Sequence, residues 1–333
     1  MRLLGLIARR LIWVPLTLLG LVVLVFMVSH VVPSDPARIL AGENATTAQL
    51  VALRHEYGFD RPLPVQLLRY IVAVIHGNMG ISLYTETPVA GEIWRRLPAT
   101  MELAFYSMLV AVGLGVPLGV AAALNRNSWF DHVLRVVTVS GLAIAAFWLA
   151  ILLQLLFSMW LGVTPVQGRI SDFGPSGVTG FYTIDAALSG DWSMEIDVLR
   201  HLALPVATLS FPAMATIVRF TRAGVIGTLG SFFVDYQRAM GIPRRVTVWR
   251  YVLRSALTGT LTQIGLVFGN LLAGAVVVEA VFDWPGLGQF AVNSILQSDY
   301  NAILGFTIYV GVMFVAVNLL IDIGQVVLDP RGR

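Results

Sequence analysis

The stretch FFVDYQRAMGIPRRVTVWRYVLR, Phe232 to Arg254, carries five arginines between two long apolar runs, Leu202 to Ile226 and Leu257 to Phe282. About 20 apolar residues are needed to cross a bilayer core as a helix, so each flanking run can span and both deliver this polar stretch to one membrane face. Four more runs qualify by length: Leu11 to Val32, Met101 to Leu124, Val133 to Leu161 and Ala302 to Leu328. The chain is 57% hydrophobic and 12% charged, with a mean hydropathy of +0.78, too apolar for a soluble globular protein of this length. The expected fold is an all-α integral membrane protein with six transmembrane helices and a small extracytoplasmic helical cap after the first span.

Arg9 and Arg10 before an apolar core resemble a signal peptide. The run exceeds an ordinary h-region and no A-x-A-like cleavage site follows, so it reads as a retained helix. Arginine near the spans favours the cytoplasm. With the N-terminus inside, 14 arginines fall in the cytoplasm and 8 outside, six of the latter in the long first loop, where charge weighs less. About 4 acidic residues lie inside and 15 outside. Both termini are therefore expected in the cytoplasm. Cysteine is absent, which excludes disulfides and thiolate chemistry. Lysine is absent too, so the chain cannot supply a G-x-x-x-x-G-K-[ST] phosphate loop of its own.

The external segment 33–98 is too long for a plain connector. Thr46 or Thr47 can cap a helix carrying Leu50, Leu53 and Tyr57 and ending at Gly58. A second helix starts near Pro64, places Val65, Leu68, Val72 and Ile75 on one face and stops at Gly77. Both are amphipathic and too short to span. Asn125 to His132 reads as a tight cytoplasmic hairpin, and Gly162 to Arg200, rich in Gly, Ser and Asp, as an irregular outer loop. In the opening stretch Ser231 can cap a helix through Met240, Gly241 ends it, and Pro243 suits the first turn of a second helix. That helix would put Val246, Trp249, Leu253 and Ala256 on one face and Arg244, Arg250 and Arg254 elsewhere. Two readings stand. The arginines can serve only to hold the loop inside, or Phe232, Phe233, Tyr236 and Trp249 beside the Gly-x-Pro turn form a docking surface.

These residues resemble the membrane subunits of ATP-binding-cassette importers, in the dipeptide, oligopeptide and nickel branch. In that family the loop before the fifth span carries the EAA motif with a fixed glycine. Asp235, Tyr236 and Gln237 fall on the three EAA positions, Gly241 on the glycine and Leu253 on a later leucine, with two EAA letters absent and Arg254 where many importers have proline. The resemblance extends over nearly the whole chain. Pro33-Ser34-Asp35-Pro36 and Tyr57-Gly58-Phe59-Asp60-Arg61-Pro62 carry it before the second span, as do Gly77-Asn78-Met79-Gly80 and Arg96 to Leu103. Gly115 to Gly119, Trp284-Pro285-Gly286-Leu287-Gly288 and Asp329-Pro330-Arg331 carry it further on. The long external cap looks like that of the first of the two related permease subunits.

The resemblance implies a type I importer permease: residues 1–32 as N-terminal segment and first span, 33–98 as the extracytoplasmic cap, and 99–333 as a permease core containing a coupling loop at 227–256. It implies a heteromeric assembly in the bacterial inner membrane. A second homologous permease subunit would complete the pathway, two ATPase subunits, or one fused, would sit below, and an extracytoplasmic substrate-binding protein would deliver cargo above. Asp235, Tyr236, Gln237, Arg238, Gly241, Pro243, Arg244 and Arg245 would form the loop seated in an ATPase groove. ATP closing the ATPase pair would rock the spans and turn the cavity outward. ATP and magnesium would belong to the partners, this chain binding no cofactor; its remaining contact is membrane lipid, and no nucleic acid is implied. Cargo in this branch ranges over dipeptides, oligopeptides, glutathione, nickel complexes and some sugars, and peptides are the cargo expected here.

Pathway candidates sit in the fifth span, where Gln263 and Asn270, seven apart, share a face and Glu279 follows roughly two turns on. They can line a wet cavity or hydrogen-bond between helices. Asn318 and Asp322 share a face of the last span and read as structural. Arg219 and Arg222 can be salt-bridge partners or interfacial anchors, with anchors preferred, and Gly113, Gly115, Gly119, Gly265, Gly269 and Ala273 read as close-packing positions. Gly174-Pro175-Ser176-Gly177 has the G-x-S-G pattern of an intramembrane serine protease, but it lies in a loop and no histidine follows His201. Neither a catalytic nor a metal site is expected. An ion-coupled secondary transporter is the rival reading; such proteins place charges near the midplane, whereas here charges cluster at span ends.

Overall fold

The computed structural model describes residues 14–24, 26–27, 46–58, 60–175, 177 and 179–328. Pro33 to Pro36, Ser176 and Asp329 to Arg331 lie outside them, as do the side chains of Asn318 and Asp322. The regular elements of the described chain are all helices, with one isolated bridge between Ile81 and Pro88. It runs through α1 (Val14–Leu24), α2 (Thr47–Tyr57), α3 (Leu63–Ile75), α4 (Val89–Leu124), α5 (Trp129–Ala143) and α6 (Ala146–Leu153), which continues as a π turn, Gln154–Trp160. Then follow α7 (Tyr182–Ser189), α8 (Trp192–Leu229), α9 (Phe232–Ala239), the short α10 (Arg244–Val246), a second π turn (Thr247–Val252), α11 (Leu253–Val281), α12 (Leu287–Leu296) and α13 (Tyr300–Leu328).

Four helices among the described residues are long and apolar enough to cross a bilayer: α4, α8, the Gly259–Val281 part of α11 and the Tyr300–Val317 part of α13. Among the described residues a fifth is present if α5 and α6 with its π turn count as one span, and they are bent by 107°. The third apolar run is thus not one straight helix. Ile144 and Ala145 have ψ of 127° and 135°, extended values that stop the i→i−4 ladder. No proline stands at the break, and its one compositional sign is the Ser140-Gly141 pair a turn earlier.

The chain divides into two compact units, residues 1–98 with 285–316 and residues 99–284 with 317–333. In the first, Val89, Ile93, Leu287, Phe290, Ala302 and Tyr309 make the core. Thr46 caps α2 through a complete capping box with Gln49, and Gly58 closes it at φ 73°. Asp299 caps α13 by accepting from the Ala302 N–H at 3.1 Å, and its carboxylate also takes the Ser82 hydroxyl and the Tyr84 N–H, tying down the loop before α4.

In the second unit the main core gathers Leu103, Ala111, Leu209, Ile217, Leu271, Val278 and Trp284. Helices α4 and α8 cross so closely that a Cβ on Gly119 would lie 2.7 Å from Thr221 Cβ and 2.9 Å from the Val218 carbonyl. Close packing thus accounts for Gly115 and Gly119, while a Cβ on Gly113 would meet nothing within 4 Å. The segment 162–200 is more ordered than its composition implies. It holds α7, and α8 begins at Trp192, ten residues ahead of the apolar run, because Asp191 caps it. The Ser193 hydroxyl and the N–H groups of Ser193 and Met194 all donate to the Asp191 carboxylate and hold its pKa below the usual carboxylate range.

Candidate functional site: the turn at Gly241 and the helix it feeds

Helix α9 is short and two-faced. Val234 and Gln237, one turn apart, are buried, while Phe232 is 94% exposed and Tyr236 and Met240 are 66% and 64% exposed. Val234 packs with Val120 and Ala123 from the end of α4, Val225 from the end of α8, and Val248, Val252 and Ala256 beyond the turn. This second core pins the inner face of α9 against three helices. The outer face presents aromatic and thioether side chains to solvent. Phe232, Phe233, Tyr236 and Trp249, read from the sequence as the alternative docking surface, are all exposed.

The turn is a complete Schellman motif. The Ile242 N–H donates to the Gln237 carbonyl and the Gly241 N–H to the Arg238 carbonyl, both at 3.0 Å, with Gly241 left-handed at φ 73°. Ser231 precedes α9 but makes no side-chain cap; its hydroxyl donates back to the Thr228 carbonyl. Pro243, expected in the first turn of the next helix, sits one residue outside it as the N-cap, with φ −59° and ψ 137°. Asp235, Arg238, Arg244 and Arg245 are all exposed, with a loose Asp235–Arg238 contact at 3.4 Å.

The second arm differs from the separate second helix expected. From Arg244 it passes through the π turn and runs unbroken into α11, since Val246, Thr247 and Leu253 are all αR. The i→i+5 bonding of the π turn re-phases the stripe. Thr247, Val248, Val252 and Ala256 are buried, while Val246 and Trp249 are 39% and 55% exposed. The polar stretch is therefore one short helix, one sharp turn and the beginning of a span.

The three residues considered for a pathway do not share one face. Asn270 is exposed, Gln263 half-buried and Glu279 fully buried. Nine residues amount to two and a half turns, which puts Glu279 on the side opposite Asn270.

Two buried carboxylates escaped the sequence reading. Asp131, beside the hairpin after α4, accepts from Arg222 Nε at 2.6 Å and Nη2 at 2.8 Å, from Arg135 Nη2 at 3.1 Å and from the Asn127 N–H at 3.0 Å. Arg222 is thus an ion-pair partner joining α5 to α8, not an interfacial anchor. Glu102, fully buried in α4, accepts at Oε1 from the Thr183 N–H (2.8 Å) and hydroxyl (2.7 Å), and at Oε2 from Arg169 Nε (3.0 Å) and Nη2. The signal for Glu102 was present, because an acid at the start of an apolar run implies a partner. Which arginine answers it could not be read across 67 residues of chain.

The family described as binding-protein-dependent transport system inner membrane component matches residues 115–333, and the N-terminal component of such membrane proteins matches residues 3–104. The probable D,D-dipeptide transport system permease protein DdpB of Escherichia coli K12 is 40% identical over 98% of this chain and 97% of its own. The dipeptide transport system permease protein DppB of the same strain is 38% identical over 98% of each chain. The di/tripeptide transport system permease protein DppB of Pseudomonas aeruginosa is 38% identical over 99% of each.

Proposed function

The chain belongs to the family of binding-protein-dependent transport system inner membrane components, and on that premise we propose that it is one transmembrane subunit of an ATP-binding-cassette importer of peptides. It forms half of the path for di- or oligopeptides handed over by an extracytoplasmic binding protein. A second permease forms the other half, and separate subunits hydrolyse ATP with magnesium. The observation that carries the peptide reading is the end-to-end likeness to dipeptide permeases, 40% identical over 98% of the chain for one of them. We further propose six spans, a cap at 33–98 and both termini in the cytoplasm, supported by the arginine distribution.

Within this reading α9 and the turn at Gly241 are the coupling element. Support comes from its build: one face packed on three helices, the other exposed and aromatic, and an outlet directly into a span. A groove on an ATPase would take Phe232, Tyr236 and Met240, with Arg238, Arg244 and Arg245 at the rim. Gln237 faces inward and supports the helix instead of touching the partner.

Inverted vesicles would expose the wrong face to the binding protein, so the test uses proteoliposomes holding the full complex, with ATP enclosed and binding protein plus radiolabelled dialanine outside. Accumulation that needs enclosed ATP and the ATPase subunits is expected. Uptake by this chain alone, driven by an ion gradient, would overturn the importer reading.

A further inference from the structure

Resting on the importer reading, we infer that Glu102 and Arg169 are a positioning pair for transport, fastening the end of α11 remote from Gly241 to the loop residues 168–171 and 179–183 and to the 99–102 segment of α4. The lever is continuous. From Arg244 to Val281 the chain is one helical rod of about 55 Å, interrupted only by the π turn. Just past its end the Phe282 carbonyl accepts from the Gly168 N–H at 2.9 Å, and the fully buried Trp284 indole donates to the Ala99 carbonyl at 3.0 Å. Arg169, the next residue of the loop, is the fastener. Its guanidinium carbon lies 3.7 Å from the Tyr182 ring centroid and 5.6 Å from that of Trp284, Nη2 donates to the Gly180 carbonyl at 2.8 Å, and Nε and Nη2 converge on Glu102.

The chemistry argues for geometry over bulk stability. A buried ion pair seldom outperforms apolar packing of equal volume, because both charges must be desolvated. What this pair adds is direction. Both Glu102 oxygens are occupied, one by the loop residue Arg169 and the other by Thr183 at the head of α7. Ser171 extends the fastening by donating its N–H and hydroxyl to Asp197 of α8 at 2.8 and 2.9 Å. A planar, stacked, two-donor guanidinium suits this role where an ammonium would not. Displacement entering at the Gly241 turn therefore reaches the loop and the start of this part of α4 as one movement.

The test uses the complete complex in proteoliposomes. Arg169→Lys keeps the charge that neutralises Glu102 but loses the fork and the stacking. Glu102→Met combined with Arg169→Met removes both charges and leaves neither unpaired. Both are expected to assemble with the partner subunits at wild-type yield and keep basal ATPase activity, while ATP-driven dialanine uptake and stimulation by the binding protein fall about tenfold or more, a loss of some 1.4 kcal/mol in coupling. Uptake within about twofold of wild type, or failure of both variants to assemble, would overturn the inference, the first outcome making the pair dispensable and the second making it a folding element. The wild-type control keeps the two readings apart. ATP-independent uptake there counts against the importer assignment, whereas ATP-dependent uptake beside unaffected variants counts against this pair alone.

Discussion

Gly241→Val is expected to lower ATP-driven uptake about tenfold or more while membrane insertion and basal ATPase activity persist, because it attacks one backbone dihedral. Gly241 is held at φ 73°, where an L-residue costs roughly 1–2 kcal/mol and a β-branched one more. A side chain here would meet nothing within 4 Å, so crowding cannot explain the loss. The control follows from the same physics. Asn tolerates the left-handed region, so Gly241→Asn should retain uptake within about threefold. Equal loss in both variants would point to a cause other than the Schellman turn. Normal uptake in Gly241→Val would reduce the loop to a topological anchor.

The second large effect is expected at the exposed face of α9. Phe232 and Tyr236 are one turn apart, 94% and 66% exposed, and supported from behind by Val234. Buried aromatic anchors commonly contribute 2 kcal/mol or more to an interface, so Phe232→Ala with Tyr236→Ala should weaken retention of the ATPase subunits on the order of thirtyfold. Binding in detergent at fixed salt measures it. Arg244→Glu with Arg245→Glu should act differently. These side chains are exposed, so their effect should fall as salt rises, since surface charges are screened beyond about 8 Å at physiological ionic strength. Retention unchanged in the aromatic variant would place the docking face elsewhere.

Periodicity and composition reached the helical, membrane-embedded character of the chain, the helix over 47–57 with its Thr46 cap, and the break at Gly241, because each depends on local chemistry. Three features lay beyond that reach. The 107° bend after Ala143 follows Ser140-Gly141 by two residues, a pair too common in membrane helices to announce a break of that size. The fusion of the second arm with α11 depends on a π turn, whose bonding is invisible to a 3.6-residue period. The ion pairs Glu102–Arg169 and Asp131–Arg222 join residues 67 and 91 apart in sequence, a distance at which charge alone does not choose partners. Glu279 lies on α11 beyond Asn270 as expected, and its phase, half a turn round the helix from Asn270, follows from the nine-residue spacing.

The absence of cysteine makes the central claim directly measurable, since a single introduced thiol is unique in this chain. Tyr236→Cys, labelled with a short photoactivatable maleimide in the assembled complex, reports what faces α9. Leu188→Cys on α7, 77% exposed, is the comparison. The account predicts that irradiation joins position 236 to the ATPase subunit, with a yield that changes when ATP is added, and that position 188 gives no such product. ATPase adducts from position 188 and none from position 236 would contradict it.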